Sequence, residues 1–444
     1  MDFINSFGER FIVPIAGFLN QNRYLKAVKT GIVAIFPFLA IGGLFLLLAY
    51  PAVMKIDFAD YGFLGNFLEL WKLLADEHLQ TLLLPAHLTV GLSAIWVAIA
   101  VGYQLAKHYK LPQLQLGLVS GAAVVLCSAP ESVIVVLKLA AKAVMQDAPF
   151  AIIPDGLIGA HGVLPAIVIA FFVVETFRFI DSAGARLKLA GSVPPAVMPS
   201  IVGLLTAGLT LLVIFIVNET FHVALDVSLA GCLWMLINPI LFIVGSLPFI
   251  LLIVFFSQWI WFVGMHGCNT TMHLLQPFTI VFILLNAELV MNGHAPTHAF
   301  TDPFWNYTVI VGGNGATMGL VLLTRLVAKS QHLRDASKRA LGSVAFNVNE
   351  LVVFGYPVIQ NPRLMLPYLL IPVINAAITY LSISYGFVNA AFCMMPWTVP
   401  GPLGAFLSTL DYRALLLVCG LIVLDGLIYL PFLVKYDREL ALEE

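Results

Sequence analysis

Residues 346–362 read FNVNELVVFGYPVIQNP, and the fold turns on how this stretch is read. Glu350, an ionisable residue flanked by Asn347 and Asn349, stands just ahead of an apolar run that Gly355, Pro357 and Pro362 interrupt. Residues 343–362 are too short and polar to cross a bilayer and too apolar for a solvated loop. Proline removes a backbone donor and breaks a long helix. Non-helical backbone at membrane depth is tolerated only where protein buries it or where it lines a watery cavity. A re-entrant hairpin entering from the cytoplasm is therefore expected, provided that the rest of the chain spans a membrane.

The composition meets that condition. Of 444 residues, 60% are hydrophobic and 10% charged, and the mean hydropathy is +0.97, well beyond a soluble domain and expected of an all-α polytopic membrane protein. The net charge of −2 carries no acidic or basic tail, so nothing points to nucleic-acid binding. Five cysteines, Cys127, Cys232, Cys268, Cys393 and Cys419, are scattered without metal-type or disulfide-type spacing and read as small packing residues. The N-terminal stretch lacks the order of a cleaved signal peptide and reads as an interfacial helix.

A membrane helix needs about 20 mostly apolar residues. Ten candidates appear, near 30–50, 85–106, 111–130, 152–177, 197–218, 237–263, 272–290, 308–328, 364–385 and 412–433. Threading ten spans puts the Lys and Arg clusters at 10–29, 107–110, 178–188, 325–339 and 435–438 on one side, the cytoplasm, with both termini there. Two further interruptions, GMHGCNTT at 264–271 and a broken element at 386–410 containing PWTVPGPLG, join the hairpin. Transporters commonly build substrate sites at such breaks, where unwound backbone is free to meet a polar solute.

The polar residues at these breaks are the candidate site. Glu350 leads, because an ionisable group at membrane depth is costly and by default functional; the alternative is a carboxylate satisfied by hairpin amides or an arginine. His266 lies between Gly264 and Gly267, where small neighbours permit close approach, although a lone histidine in a helix break is more often structural. Asn349 and Asn347 offer amides to sugar hydroxyls or, alternatively, cap short helices. Trp397 can stack on a pyranose face or anchor at the interface. Asn314 in VGGNGATMG and His161 in IGAHGVLP are glycine-flanked polar residues near span ends, a pattern that close helix packing also produces. There is no Walker A loop, HExxH, GxSxG or metal-ligand cluster, and no cofactor is expected.

FNVNELVVFGYPVIQNP closely resembles the FNINEPVIFG-P-VLNP signature of the membrane-embedded IIC component of the bacterial sugar phosphotransferase system, in its lactose, cellobiose and diacetylchitobiose family. WFVGMHG resembles that family's WFFGIHG. FWNYTVIVGGNGATMGLVLLTRLVAKSQHLR resembles its GGSGAT segment followed by AKSK, and GSVPPAVMPS its VPPAV stretch. PWTVPGPLG and IYLPFLVKYD resemble its PWT and YYPF-K-YD endings. The resemblance covers nearly the whole chain. It implies a ten-span, elevator-type homodimer in the bacterial plasma membrane, a single domain over 1–444. About 1–240 would be the scaffold and dimerisation half, and 241–444 the sugar-binding transport half. A disaccharide would be phosphorylated at its C6 hydroxyl by the phosphocysteine of a separate IIB protein supplied by IIA. By motif match, Glu350 and His266 stand around that hydroxyl, Asn349 is the asparagine of NE, and Trp397 is a stacking platform.

Two departures are visible: Leu351 replaces the family's NEP proline, and Asn314 replaces the serine of GGSGAT. The competing reading is an uncoupled or proton-coupled sugar carrier retaining the fold, with Glu350 and His266 as a proton relay. A membrane-embedded hydrolase is disfavoured, because nothing in the sequence sets Glu219, Glu288 or Asp302 opposite Glu350.

Overall fold

The computed structural model describes residues 21–51, 62–128, 157–182, 198–264, 267–356, 358 and 361–444. The expected interfacial N-terminal helix and the VPPAV stretch lie outside the described residues. Among the described residues the secondary structure is helical and contains no strand.

The helices are α1 (Arg23–Ala49), α2 (Gly62–Glu77), α3 (Leu79–Thr89), α4 (Ser93–His108), α5 (Gln113–Ser128), α6 (Val163–Ser182), α7 (Met198–Leu225), α8 (Leu229–Val244), α9 (Leu247–Phe262), α10 (Gly267–Met291), α11 (Met318–Val327), α12 (Gln331–Ala345), α13 (Glu350–Gly355), α14 (Pro362–Ser384), α15 (Gly401–Thr409) and α16 (Tyr412–Glu443). A 3-10 turn, Ala160–Gly162, precedes α6, and a π-helical turn, Phe304–Val309, precedes α11.

Seven described segments are long and apolar enough to cross a membrane: α1, α3 continued by α4, the 3-10 turn with α6, and most or all of α7, α10, α14 and α16. The pair α8 and α9 makes an eighth if taken as one broken span. The candidate span at 308–328 is not one helix. Its chain leaves the π-helical turn, passes through irregular backbone over 310–317, and becomes helical again only for the ten residues of α11.

The chain divides into two compact units, one made of Met1–Gln21, Ala40–Ala86 and Phe242–Glu444, the other of Asn22–Leu39 and His87–Leu241. In the second unit, α4 and α5 pack closely because Gly117 and Gly121, spaced by four, face Ile99; a Cβ on Gly121 would lie 2.7 Å from the Ile99 side chain. Small residues at this spacing let membrane helices approach until their backbones touch.

In the first unit, α16 organises the termini of its neighbours. The Asp437 carboxylate accepts the Lys329 and Ser330 amides at 2.9 Å, and Glu444 accepts from the Ser330 hydroxyl and the Gln331 and His332 amides. These are amides at and just before the start of α12, which otherwise have no helical partner. The same amides and hydroxyl hold the Glu444 carboxyl below its ordinary range. Asn286, fully buried on α10, is a second hub. Its amide donates to the His298 and Ala391 carbonyls at 2.8 Å, and its oxygen accepts from the Thr297 and His298 amides.

Each backbone group that Asn286 serves would be stranded without it, at about 1–3 kcal/mol apiece. Asn286→Ala is therefore expected to lower the thermal unfolding midpoint of the detergent-purified protein markedly, whereas Asn292→Ala, outside the hub, leaves it unchanged.

Candidate functional site

Irregular backbone at 310–317 persists because side chains from distant helices hold it. Gly312, Gly313, Gly315 and Ala316 all carry positive φ, at 78°, 100°, 81° and 53°, a region that side chains with a Cβ rarely enter. Space reinforces the choice. A Cβ on Gly313 would lie 2.3 Å from the Asn349 side chain, and one on Gly315 2.3 Å from the Tyr368 ring.

Asn347 ties this glycine loop to the PWTVP segment. Itself in the left-handed region at φ 62°, it accepts the Gly312 amide at 2.9 Å and donates to the carbonyls of Trp397 at 2.8 Å and Val399 at 2.9 Å. Asn349 donates to the Asn314 carbonyl at 2.6 Å and to the Thr317 hydroxyl at 3.0 Å, and that hydroxyl donates to the Gly312 carbonyl at 2.8 Å. From other helices, Gln258 on α9 accepts the Gly315 amide at 2.9 Å, and Tyr429 on α16 donates to the Gly315 carbonyl at 2.8 Å. Five chain segments, joined by bonds that span up to 114 residues, thus share one buried polar network.

Glu350 opens the short helix α13, at the end where its charge suits the helix dipole. Its side chain is exposed, and no hydrogen bond or ion pair among the described residues engages it. Its neighbour Asn349 is buried at 3% exposure. Trp397 is bound through its carbonyl alone, and its indole stands 53% exposed. The Asn314 side-chain oxygen is buried without a hydrogen-bond partner among the described residues. The first unit therefore brings Glu350, Asn347, Asn349, Asn314 and Trp397 into one neighbourhood.

His161 belongs to the second unit, on the 3-10 turn, with its ring edge-on to Trp234 at 4.8 Å. His266 lies outside the described residues. Asp302 is half-buried and accepts from the Thr279 hydroxyl at 3.1 Å; desolvation pushes its carboxyl up to about 6 against that hydrogen bond.

Gln258, Thr317 and Tyr429 escape a reading of the sequence. Each sits in an ordinary apolar helix or loop, and only the fold brings it to the glycine loop. The signal that was available is Gln258 itself, a polar residue inside the apolar run of α9.

The chain matches the family described as "Phosphotransferase system, EIIC" over residues 29–372. It is 29% identical to the oligo-beta-mannoside-specific EIIC component of Bacillus subtilis (strain 168), over 97% of this chain and 93% of that one. It is 28% identical to the cellobiose-specific EIIC component of Geobacillus stearothermophilus, over 100% of this chain and 96% of that one. The crystal structure of the transporter ChbC, the IIC component from the N,N'-diacetylchitobiose-specific phosphotransferase system, superposes with a TM-score of 0.81 at 25% identity, covering 98% of this chain and 99% of that one.

Asn347→Ala removes one acceptor and two donors at a buried left-handed position. With about 1–3 kcal/mol for each stranded partner, it is expected to lower the unfolding midpoint sharply. Asn347→Asp keeps the acceptor for Gly312 and the tolerance for positive φ but sets a carboxylate against two carbonyls, and falls between the two. Thermal unfolding in detergent ranks them.

Proposed function

This chain belongs to the EIIC family of the phosphotransferase system, and from that premise we propose that it binds a disaccharide of the cellobiose, lactose or diacetylchitobiose class and moves it across the bacterial plasma membrane for phosphorylation at C6. The phosphoryl donor is the phosphocysteine of a separate IIB protein, recharged by IIA. The protein works as a homodimer with both termini cytoplasmic, and the hairpin-bearing unit carries the sugar in an elevator movement. Named relatives support the substrate class: their own substrates are oligo-beta-mannoside, cellobiose and N,N'-diacetylchitobiose.

The observation that carries the reading is Glu350, an exposed carboxylate with no partner among the described residues, mounted on a short helix whose preceding residues are clamped. A carboxylate held on a fixed frame yet left free is arranged to meet something that arrives. In the reaction proposed, Glu350 accepts the proton of the C6 hydroxyl as that oxygen attacks phosphorus. The sulfur–phosphorus bond breaks, and the cysteine leaves as thiolate. His266 enters through its motif alone and positions the same oxygen. Trp397 offers its exposed face to a sugar ring. Asn347 and Asn349, whose amide nitrogens are occupied internally, serve by aiming Glu350 and Trp397, and Asn314 presents its unpaired oxygen to a hydroxyl.

Uptake of labelled cellobiose, lactose and diacetylchitobiose into cells supplied with IIB and IIA tests the reading. Wild type is expected to accumulate sugar 6-phosphate. Glu350→Gln is expected to bind sugar but form the phosphate at least about 100-fold more slowly, the usual worth of a general base. Unmodified sugar entering at full rate without IIB would instead mark an uncoupled carrier.

Trp397→Ala keeps the carbonyl that Asn347 uses. It should leave the unfolding midpoint unchanged while weakening sugar binding by roughly tenfold, measured by calorimetry on purified protein.

A further inference from the structure

The second unit holds a feature that sugar phosphorylation does not use. Arg23 and Lys26 stand on the first turn of α1, and Lys107 and His108 on the last turn of α4. Together with Ala27, Thr30 and Gln104 they line a cavity of about 310 Å³, at the small end of ligand-sized sites. Three cations and an imidazole face it, and among the described residues no carboxylate lines it.

The acid of this neighbourhood is already engaged. Glu175 on α6 accepts from the Tyr24 hydroxyl at 2.8 Å and from the Tyr109 hydroxyl, and pairs with Arg178 at 3.1 Å. Arg23 is steadied by the rings of Tyr24 and Tyr109, each 5.1 Å from its guanidinium carbon. Lys26, Lys107 and Gln104 have no hydrogen bond or ion pair to their side chains among the described residues. Like charges gathered around an open volume repel one another unless an anion enters.

The position of the cavity identifies the anion. The start of α1 and the end of α4 are ends of two segments long and apolar enough to span a membrane, and polar ends of such segments lie at headgroup depth. A basic pocket between spanning helices at that depth matches the phosphate of a lipid headgroup. We infer that this cavity is a binding site for the phosphate of an anionic phospholipid, with Lys26 and Lys107 gripping its oxygens, Arg23 set beside them by its tyrosines, and Gln104 hydrogen-bonding the headgroup. Inorganic phosphate presents the same chemistry without the acyl chains, so the test separates the two.

Native mass spectrometry of the full-length protein in detergent, titrated with phosphatidylglycerol, phosphatidylcholine or inorganic phosphate, reads the site directly. Wild type is expected to retain phosphatidylglycerol in preference to phosphatidylcholine. Lys26→Gln with Lys107→Gln should lose that preference by about tenfold or more. Lys26→Arg with Lys107→Arg, which keeps both charges, should retain it, and both variants should unfold at the wild-type temperature. Equal retention of the two lipids by wild type, or unchanged phosphatidylglycerol binding in the glutamine variant, overturns the inference. Saturation by inorganic phosphate with no lipid preference overturns the lipid assignment.

Discussion

The glycine loop at 312–316 stands in a backbone conformation that its own residues do not favour strongly enough to hold alone, and the hydrogen bonds of Asn347 and Asn349 supply what is missing. Ordering a residue's backbone costs about 1–2 kcal/mol, and four of the five residues in this stretch occupy the left-handed region. Two buried asparagines, a glutamine, a threonine and a tyrosine meet that cost through bonds that reach across the fold. The placement of Glu350 and Trp397 depends on the same bonds, since Glu350 follows Asn349 directly and the Trp397 carbonyl is one of the groups that Asn347 holds.

Three carboxylates elsewhere in this unit are put to internal use. Asp437 and Glu444 receive amides around the start of α12. Asp411 accepts the Asn389 and Arg413 amides and pairs with the Arg413 guanidinium. Glu350 differs from these three in being exposed and without a partner among the described residues, directly after the clamped Asn349. No neighbouring group engages this charge, so it adds nothing to the internal bonding of the unit, and the proposed reaction gives it a use.

Much of the helical frame was legible in the sequence because hydropathy and length are local properties. The apolar runs near 30–50, 364–385 and 412–433 are the helices α1, α14 and α16. The run at 308–328 misled for a physical reason: hydropathy weighs side chains, and VGGNGATMG is apolar enough to pass while its glycines place the backbone where no helix goes. At the site, residue type and motif brought forward Glu350, Trp397 and the three asparagines. Nothing local says that Asn347 reaches a carbonyl 52 positions away, or that Gln258 and Tyr429 converge on Gly315. Such partners are set by the path of the chain, and a sequence alone carries that path only implicitly.

The clamping of Gly315 from two helices also bears on how a sugar preference can change over time. A substitution at Gln258, Asn347 or Tyr429 disturbs every segment that meets in the network, so these positions resist drift whatever saccharide is carried. The exposed faces of Leu351, Phe354 and Trp397 rest on that frame without supporting it. Each of these side chains can therefore be exchanged singly without moving the backbone that carries it.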